Sequence, residues 1–195
     1  DLASITKIAA STISVMKLQD EGKVSIYQPI GRYLPEAIGT NKADVTLYDA
    51  MAHRAGLKSW IPFFEQTLTN VPRSGAGGVS EYYSRRPNET YGAKVTDQLF
   101  LRNDFQDSIW QQIYESPVAD IKEYVYSDLS YYMINKIVKN QTGKYLDEYT
   151  AETFYQPLGL QTMTYKPLEK FDKQRIVPTE EDRYWRNQKI QGHVH

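Results

Sequence analysis

Cysteine is absent from the 195 residues, which excludes disulfides and thiolate-held metals. Its absence leaves the compartment open, since many envelope proteins lack cysteine too. No apolar run approaches the roughly 20 residues that span a bilayer. Charge of neither sign predominates: 23 basic residues face 24 acidic ones, net -1. Nothing therefore invites nucleic acid or an anionic membrane surface. Segments that alternate as half-buried strands do are scarce, and no internal repeat or low-complexity tract occurs. These absences leave a chain long enough to bury a real core, read as one unit and as mainly helical.

What is present begins at once. Asp1-Leu2-Ala3-Ser4-Ile5-Thr6-Lys7 contains Ser-x-x-Lys, followed by a helical pattern. Residues three apart share a helix face, with Cβ atoms roughly 5–6 Å apart, so an amine can reach a hydroxyl. An unassisted serine is a poor nucleophile, and lysine can take its proton only where burial or positive charge lowers its pKa. The same serine could equally be a plain helix N-cap. The chain starts without an initiator methionine, directly on this motif, and is expected to be a segment of a longer protein.

The first helix is predicted from about Ser4 to Glu21, with Ile5, Ile8, Ala9, Thr12 and Met16 on its periodic face and Gly22 at its end. Lys23 to Pro35 reads as extended or turn, since Pro29 and Pro35 bar a long helix. A second helix follows Val45, with Thr46 and Asp49 as a capping pair, and stops at Gly56. Asn70 to Gly92, rich in glycine, proline, Tyr82, Tyr83, Arg85 and Arg86, lacks periodicity. It falls in a long loop or insertion at about 63–105, either an active-site lid or a plain solvated loop. A short helix is expected over Asp107 to Glu115. A third strong one runs from Asp128 to about Gln141, with Tyr132, Met133, Ile137 and Val138 on one face. A fourth, through Leu146, Tyr149, Thr153 and Phe154, is stopped by Pro157. Gly159 to His195 reads as irregular.

Tyr126-Ser127-Asp128 stands on the turn that opens the third helix. With Ser4-Ile5-Thr6-Lys7 it resembles the first two motifs of the serine β-lactamase and penicillin-binding-protein superfamily. The likeness is to the branch of class C-type β-lactamases, D,D-peptidases and esterases. Met51-Ala52-His53-Arg54-Ala55-Gly56-Leu57 resembles the Leu-Leu-Thr-His-x-Ser-Gly-Leu segment of that branch. Phe154-Tyr155-Gln156-Pro157-Leu158-Gly159-Leu160 is similar to its Phe-x-Pro-Leu-Gly-Met segment. Four landmarks in order carry more weight than any one of them. The end of the chain, from Pro178-Thr179-Glu180 to His195, resembles envelope proteins of Bacteroidetes-type bacteria in which a glycoside hydrolase is fused to a β-lactamase-like domain.

The resemblance implies the helical part of an α+β fold whose antiparallel sheet lies mostly in flanking sequence. It implies Ser4 as the acylated nucleophile, Lys7 as its general base and Tyr126 as the proton shuttle, with no cofactor. The Ser4 backbone N–H would be half of an oxyanion hole. The implied chemistry is an acyl-enzyme formed from an amide, ester or β-lactam carbonyl. The implied substrate is a small molecule or a peptidoglycan peptide, and the implied location the bacterial envelope, in the periplasm. Ser127, Asp128 and Trp60 are the candidate substrate-binding residues.

Two departures stand out. Asp128 replaces the family's asparagine, so an acceptor-only carboxylate stands where an amide could donate. Beside Lys7 it would favour the ammonium; it could orient Lys7, prefer an amine-bearing substrate, or simply cap the helix. The third motif, Lys-Thr-Gly or His-x-Gly, occurs nowhere in the chain. A catalytically degenerate module that binds cell-wall peptide or a protein partner is the alternative. His193-Val194-His195 would put two imidazoles on one side of a strand, but a metal site needs three or four ligands, and none is assigned. His53 reads as a structural histidine bonding backbone near a helix end. Among the 16 tyrosines and 3 tryptophans, Trp60 and Tyr82 are the candidates for a cleft.

Overall fold

Small residues at the start of the chain decide which way its first helix faces. The computed structural model describes residues 1–68, 80–120 and 123–194. After a turn at Ala3 and Ser4 it opens into a helix that joins a π-helical stretch, Lys7–Thr12, to an α-helical one, Ile13–Asp20 (α1). The buried side is Ala10, Ser11, Ser14, Val15 and Leu18. The periodic face expected from the sequence is corrected here: Ile5, Ile8 and Met16 are 60%, 68% and 63% exposed. Residues in a π-helical stretch are wound more loosely than the period of 3.6 assumes, so phase read across it drifts. The small side chains admit close neighbours, and Tyr155 donates its hydroxyl to the Ala9 carbonyl at 2.8 Å.

The chain sorts into two compact units, where the sequence was read as one. The larger holds Leu2–Ile61 and Gln112–Tyr165. In it, α1 packs against α4, Leu129–Thr142, and α5, Leu146–Thr150, which runs on as a π-helical stretch, Ala151–Tyr155. The short α2, Leu47–Met51, also lies on α4. Its cap is as expected: Thr46 Oγ1 accepts from the Asp49 N–H at 3.0 Å and donates to Asp49 Oδ2 at 2.9 Å. Leu129, Met133, Ile134, Ile137 and Val138 fill the core, whereas Tyr132, expected on that face, is 45% exposed. Gly143 ends α4 at φ 75°, where a left-handed residue closes the last turn.

The other unit comprises Asp1, Pro62–Gln111 and Lys166–His195. Much of it falls where the sequence suggested only a loop. Tyr83–Ser84 (β1), Ala93–Thr96 (β2) and Leu99–Leu101 (β3) form an antiparallel sheet in the order β1-β3-β2, with an irregularity between Lys94 and Thr96. Strands of two to four residues are too short to show an alternation. Positions 70–79 of that predicted loop lie outside the described residues. The helix expected over Asp107 to Glu115 is α3, Phe105–Glu115. Tyr82 packs edge-on against Phe105, with ring centroids 5.3 Å apart. Near the end of the chain, Glu180–Asp182 (β4) pairs with Gln188–Ile190 (β5) where an irregular tail was expected. The turn between them is organised by Asp182, which accepts from the Tyr184, Trp185 and Arg186 amides. With 41% helix and 10% strand, the mainly helical reading stands.

One lysine fastens the end of α3 in the larger unit. Lys42 is fully buried, and its ammonium donates to Asn41 Oδ1 at 2.6 Å, to the Ser116 carbonyl and to the Tyr114 carbonyl at 3.4 Å. Burial pushes its amine down to about 8, so it remains charged at neutral pH, with three donors for three acceptors. Replacing it by methionine keeps the apolar stem and removes the ammonium from its three acceptors, leaving the Ser116 carbonyl with Asn41 Nδ2 at 3.0 Å. Lys42→Met is expected to cost about 2–3 kcal/mol, measured as a shift in the urea midpoint at pH 7; an unshifted midpoint would contradict it.

Candidate active site

The site is assembled where three segments of the larger unit meet: the entry to α1, the turn after α2, and the residues leading into α4. The first is set by a tight turn. Ala3 lies at φ 43°, and the amides of Ile5, Thr6 and Lys7 bond to the carbonyls three residues before them. Ser4 is therefore no N-cap. Its Oγ accepts from Lys7 Nζ at 2.9 Å, the contact that one helical turn makes available.

The second segment owes its path to Gly56. It sits at φ 69° with its Cα pressed against the Ala119 backbone, which a Cβ would overlap. The Ala119 amide donates to the Gly56 carbonyl at 2.8 Å. This close approach brings residues 53–59 alongside 118–120 and 123–128. Val125 N–H then bonds the His53 carbonyl at 2.9 Å, and Asp128 N–H bonds the Ser59 carbonyl at 2.8 Å.

Ser127 is committed to this framework. It is 1% exposed, its Oγ donates to the Lys58 carbonyl at 2.6 Å and accepts from Leu129 N–H at 3.2 Å. Both bonds tie Ser127, suggested by the sequence as a substrate-binding residue, to backbone, at Lys58 and at the start of α4. Asp128 makes no cap hydrogen bond with its side chain. Its carboxylate meets Lys7 Nζ at 2.5 Å. Trp60, 57% exposed, follows Ser59 in the chain.

Around Lys7 the groups are close and mixed in sign. Its Nζ lies 5.0 Å from the Tyr126 ring centroid and 5.5 Å from that of Tyr131, both at cation–π range. Burial would lower its pKa, but hydrogen bonds to Asp128 and Tyr126 and their charges outweigh burial and raise it. Lys7 is thus held as an ammonium. The same contacts act in reverse on Tyr126: hydrogen bonding to Lys7, then to Ser4, lowers its phenol below the usual value against burial and the Asp128 charge. Tyr131, on the first turn of α4, was missed in the sequence. An aromatic residue three positions after the helix-opening Asp128 is the signal that could have found it.

His53 Nδ1 accepts from the Ser127 N–H at 3.0 Å, which places its own proton on Nε2. Its ring lies 4.4 Å from that of Tyr126 and 5.6 Å from that of Tyr131. The structural role expected for it is what is seen. In the smaller unit His193 Nε2 pairs with Asp97 Oδ1 at 3.1 Å, while His195 lies outside the described residues. Among the described residues no three histidine, aspartate or glutamate side chains cluster as a metal site would require, and no helix is long and apolar enough to cross a membrane.

Residues 1–193 match the family described as Beta-lactamase. An N-acetylmuramyl-L-alanine amidase of Bacillus subtilis is 29% identical over 187 residues, covering 92% of this chain and 36% of that protein. A β-lactamase/D-alanine carboxypeptidase from Yersinia pestis, solved with citrate, superposes with a TM-score of 0.51 at 24% identity, over 85% of this chain and 40% of its own. A D-amino acid amidase from Ochrobactrum anthropi, solved with L-phenylalanine amide, gives 0.57 at 19% identity, over 89% and 39%. Identities this low in the solved structures speak for the fold alone. The chain spans little more than a third of the length of the curated relative it matches.

The Lys7–Asp128 contact makes a signed prediction. A lysine whose folded pKa is raised contributes stability that is complete below its unfolded pKa of about 10.4 and disappears as pH rises through the folded value. Observed by NMR of ¹³Cε-labelled lysine, Lys7 should titrate above the ordinary lysine range and fall back in Asp128→Asn. An ordinary titration in the unaltered chain would contradict the ion pair.

Proposed function

The chain belongs to the beta-lactamase family, and from that membership we propose that it carries the nucleophile and proton-transfer groups of a serine acyl hydrolase or transferase. The observation that carries the proposal is the triangle of Ser4, Lys7 and Tyr126. Lys7 Nζ stands 2.9 Å from Ser4 Oγ, and the Tyr126 phenol hydrogen-bonds to both.

Lys7, held as an ammonium by Asp128, has no lone pair with which to act as base. The role expected for it passes to Tyr126. As phenolate, Tyr126 takes the Ser4 proton while Oγ adds to the carbonyl carbon. The phenol then gives that proton to the departing amine or alkoxide as the bond to the leaving group breaks, leaving an acyl-Ser4 ester. Water or an amine, deprotonated by the regenerated phenolate, attacks the ester; as the bond to Ser4 Oγ breaks, the phenol returns the proton to Oγ, and the acyl group leaves as the acid or amide. Lys7 stabilises the phenolate and the negative charge that builds on the carbonyl oxygen, helped by the Ser4 backbone N–H.

The names of the relatives point to peptidoglycan amide bonds and D-alanine peptides as the substrate class and to the cell envelope as the place of action. The chain spans 36% of the length of the Bacillus subtilis amidase, so the complete reaction is proposed for the full-length protein. Asp128 favours a second reading. An asparagine could donate to a substrate carbonyl, and a carboxylate tied to Lys7 at 2.5 Å cannot. A binding module that retains the landmarks without turning over would also carry this residue.

Intact mass after incubation with a fluorophosphonate, and separately with a penicillin, tests the proposal on the full-length protein. A single adduct is expected, absent in Ser4→Ala, with Tyr126→Phe slowing its formation by about 10²–10⁴-fold. A folded protein that takes neither probe would favour the binding module.

A further inference from the structure

Tyr126 reaches the site from an irregular segment, yet its chemistry requires the phenol to stay within hydrogen-bond reach of Ser4. The residues on either side of it are both fastened to one residue. Val125 N–H donates to the His53 main-chain carbonyl at 2.9 Å, and Ser127 N–H donates to His53 Nδ1 at 3.0 Å. Between these two bonds the His53 ring lies against the Tyr126 ring, with centroids 4.4 Å apart and planes at 35°. Carbonyl and imidazole act on the same segment while His53 adopts φ 58°, a left-handed conformation that histidine, like asparagine and aspartate, visits more often than other side chains.

We propose that His53 is the positioning residue of the acyl-transfer site: it brackets Tyr126 from both sides and is competent only as the neutral imidazole. The proposal rests on the role assigned to Tyr126 above. It goes beyond a plain structural contact because the bracket depends on protonation. Protonated Nδ1 would direct an N–H at the N–H of Ser127, turning one of the two bonds into a repulsion.

The groups that face His53 are Lys7 from the π-helical stretch before α1, Tyr124, Tyr126 and Asp128 from the segment entering α4, and Tyr131 from α4 itself. Burial, then the Lys7 charge, lowers the His53 pKa, and the Asp128 charge opposes them. A histidine depressed in the folded state contributes stability that is present above its unfolded pKa of about 6.5 and is lost as pH falls through the lower folded value. The bracket is therefore intact at neutral pH and opens on acidification.

The test uses the full-length protein, with fluorophosphonate labelling of Ser4 followed from pH 5 to 9 and amide hydrogen exchange followed at Val125 and Ser127. His53→Phe keeps a ring and removes the acceptor. It should slow labelling at pH 8 by about 10–100-fold, the scale of a misplaced catalytic group, and deprotect the Ser127 amide. His53→Asn offers an acceptor that does not titrate and tolerates the left-handed backbone. It should restore most of the lost rate and remove the additional fall that His53 protonation adds, on the acid side, to the fall caused by protonation of Tyr126. Labelling of His53→Phe at the unaltered rate, or an acid-side profile of His53→Asn identical to that of the unaltered protein, would overturn the proposal. If His53→Phe does not fold, the comparison of pH profiles between the unaltered protein and His53→Asn decides. Absence of label on the unaltered protein would sink the acyl-transfer reading alone. Exchange would still judge the bracket, which fails if Ser127 is equally protected in His53→Phe.

Discussion

The contact between Lys7 Nζ and Asp128, 2.5 Å long, helps to keep Lys7 charged against the effect of its burial. A lysine beside a serine can serve as a base only if it is neutral, and a carboxylate against its amine opposes that. The site keeps its cation, and the cation lowers the phenol of Tyr126. The Asp128 carboxylate itself opposes ionisation of that phenol, so the lowering comes through Lys7 and Ser4. The Lys7 side chain is 14% exposed against 40% for that of Asp128, so the amine is the more sheltered member, and its preference for charge comes from its partners.

The surrounding structure exists to bring the segments that carry these groups within a few ångströms. Gly56, with no Cβ to hold the chains apart, lets the turn after α2 lie against Ala119. From there a short ladder of bonds through His53, Lys58 and Ser59 pins residues 125–128. Small residues on α1 let α4 and α5 pack close to it. Irregular backbone in the middle of a site is held by named partners, as buried amides and carbonyls require.

The long helices and their stops were legible because periodicity, caps and glycines are local signals. Thr46, Gly143 and the run Met133, Ile137, Val138 announced themselves. So did Ser4, Lys7 and Tyr126, whose likeness to family motifs does not depend on the fold around them. The orientation of α1 was not legible, because a π-helical stretch interrupts the period and both of its sides offer apolar residues. The strands within 83–101 were hidden by their brevity. Ser127 looked like a substrate residue from its place in a motif. Its burial against the Lys58 carbonyl depends on a contact 69 positions away in the chain, which no local pattern encodes. The role of Asp128 stayed open for the same reason: capping and ion pairing look alike until its distance to Lys7 is known.

The central claim is that the proton of Ser4 goes to Tyr126 because Lys7 is already charged. The direct measurement is a ¹³Cζ-tyrosine NMR titration of Tyr126, set beside the pH dependence of Ser4 acylation in the same sample. The account predicts that Tyr126 ionises below the ordinary tyrosine range and that the acylation rate rises with the same midpoint. A Tyr126 that stays protonated through the pH range in which Ser4 is fully reactive would contradict it and return the role of base to Lys7.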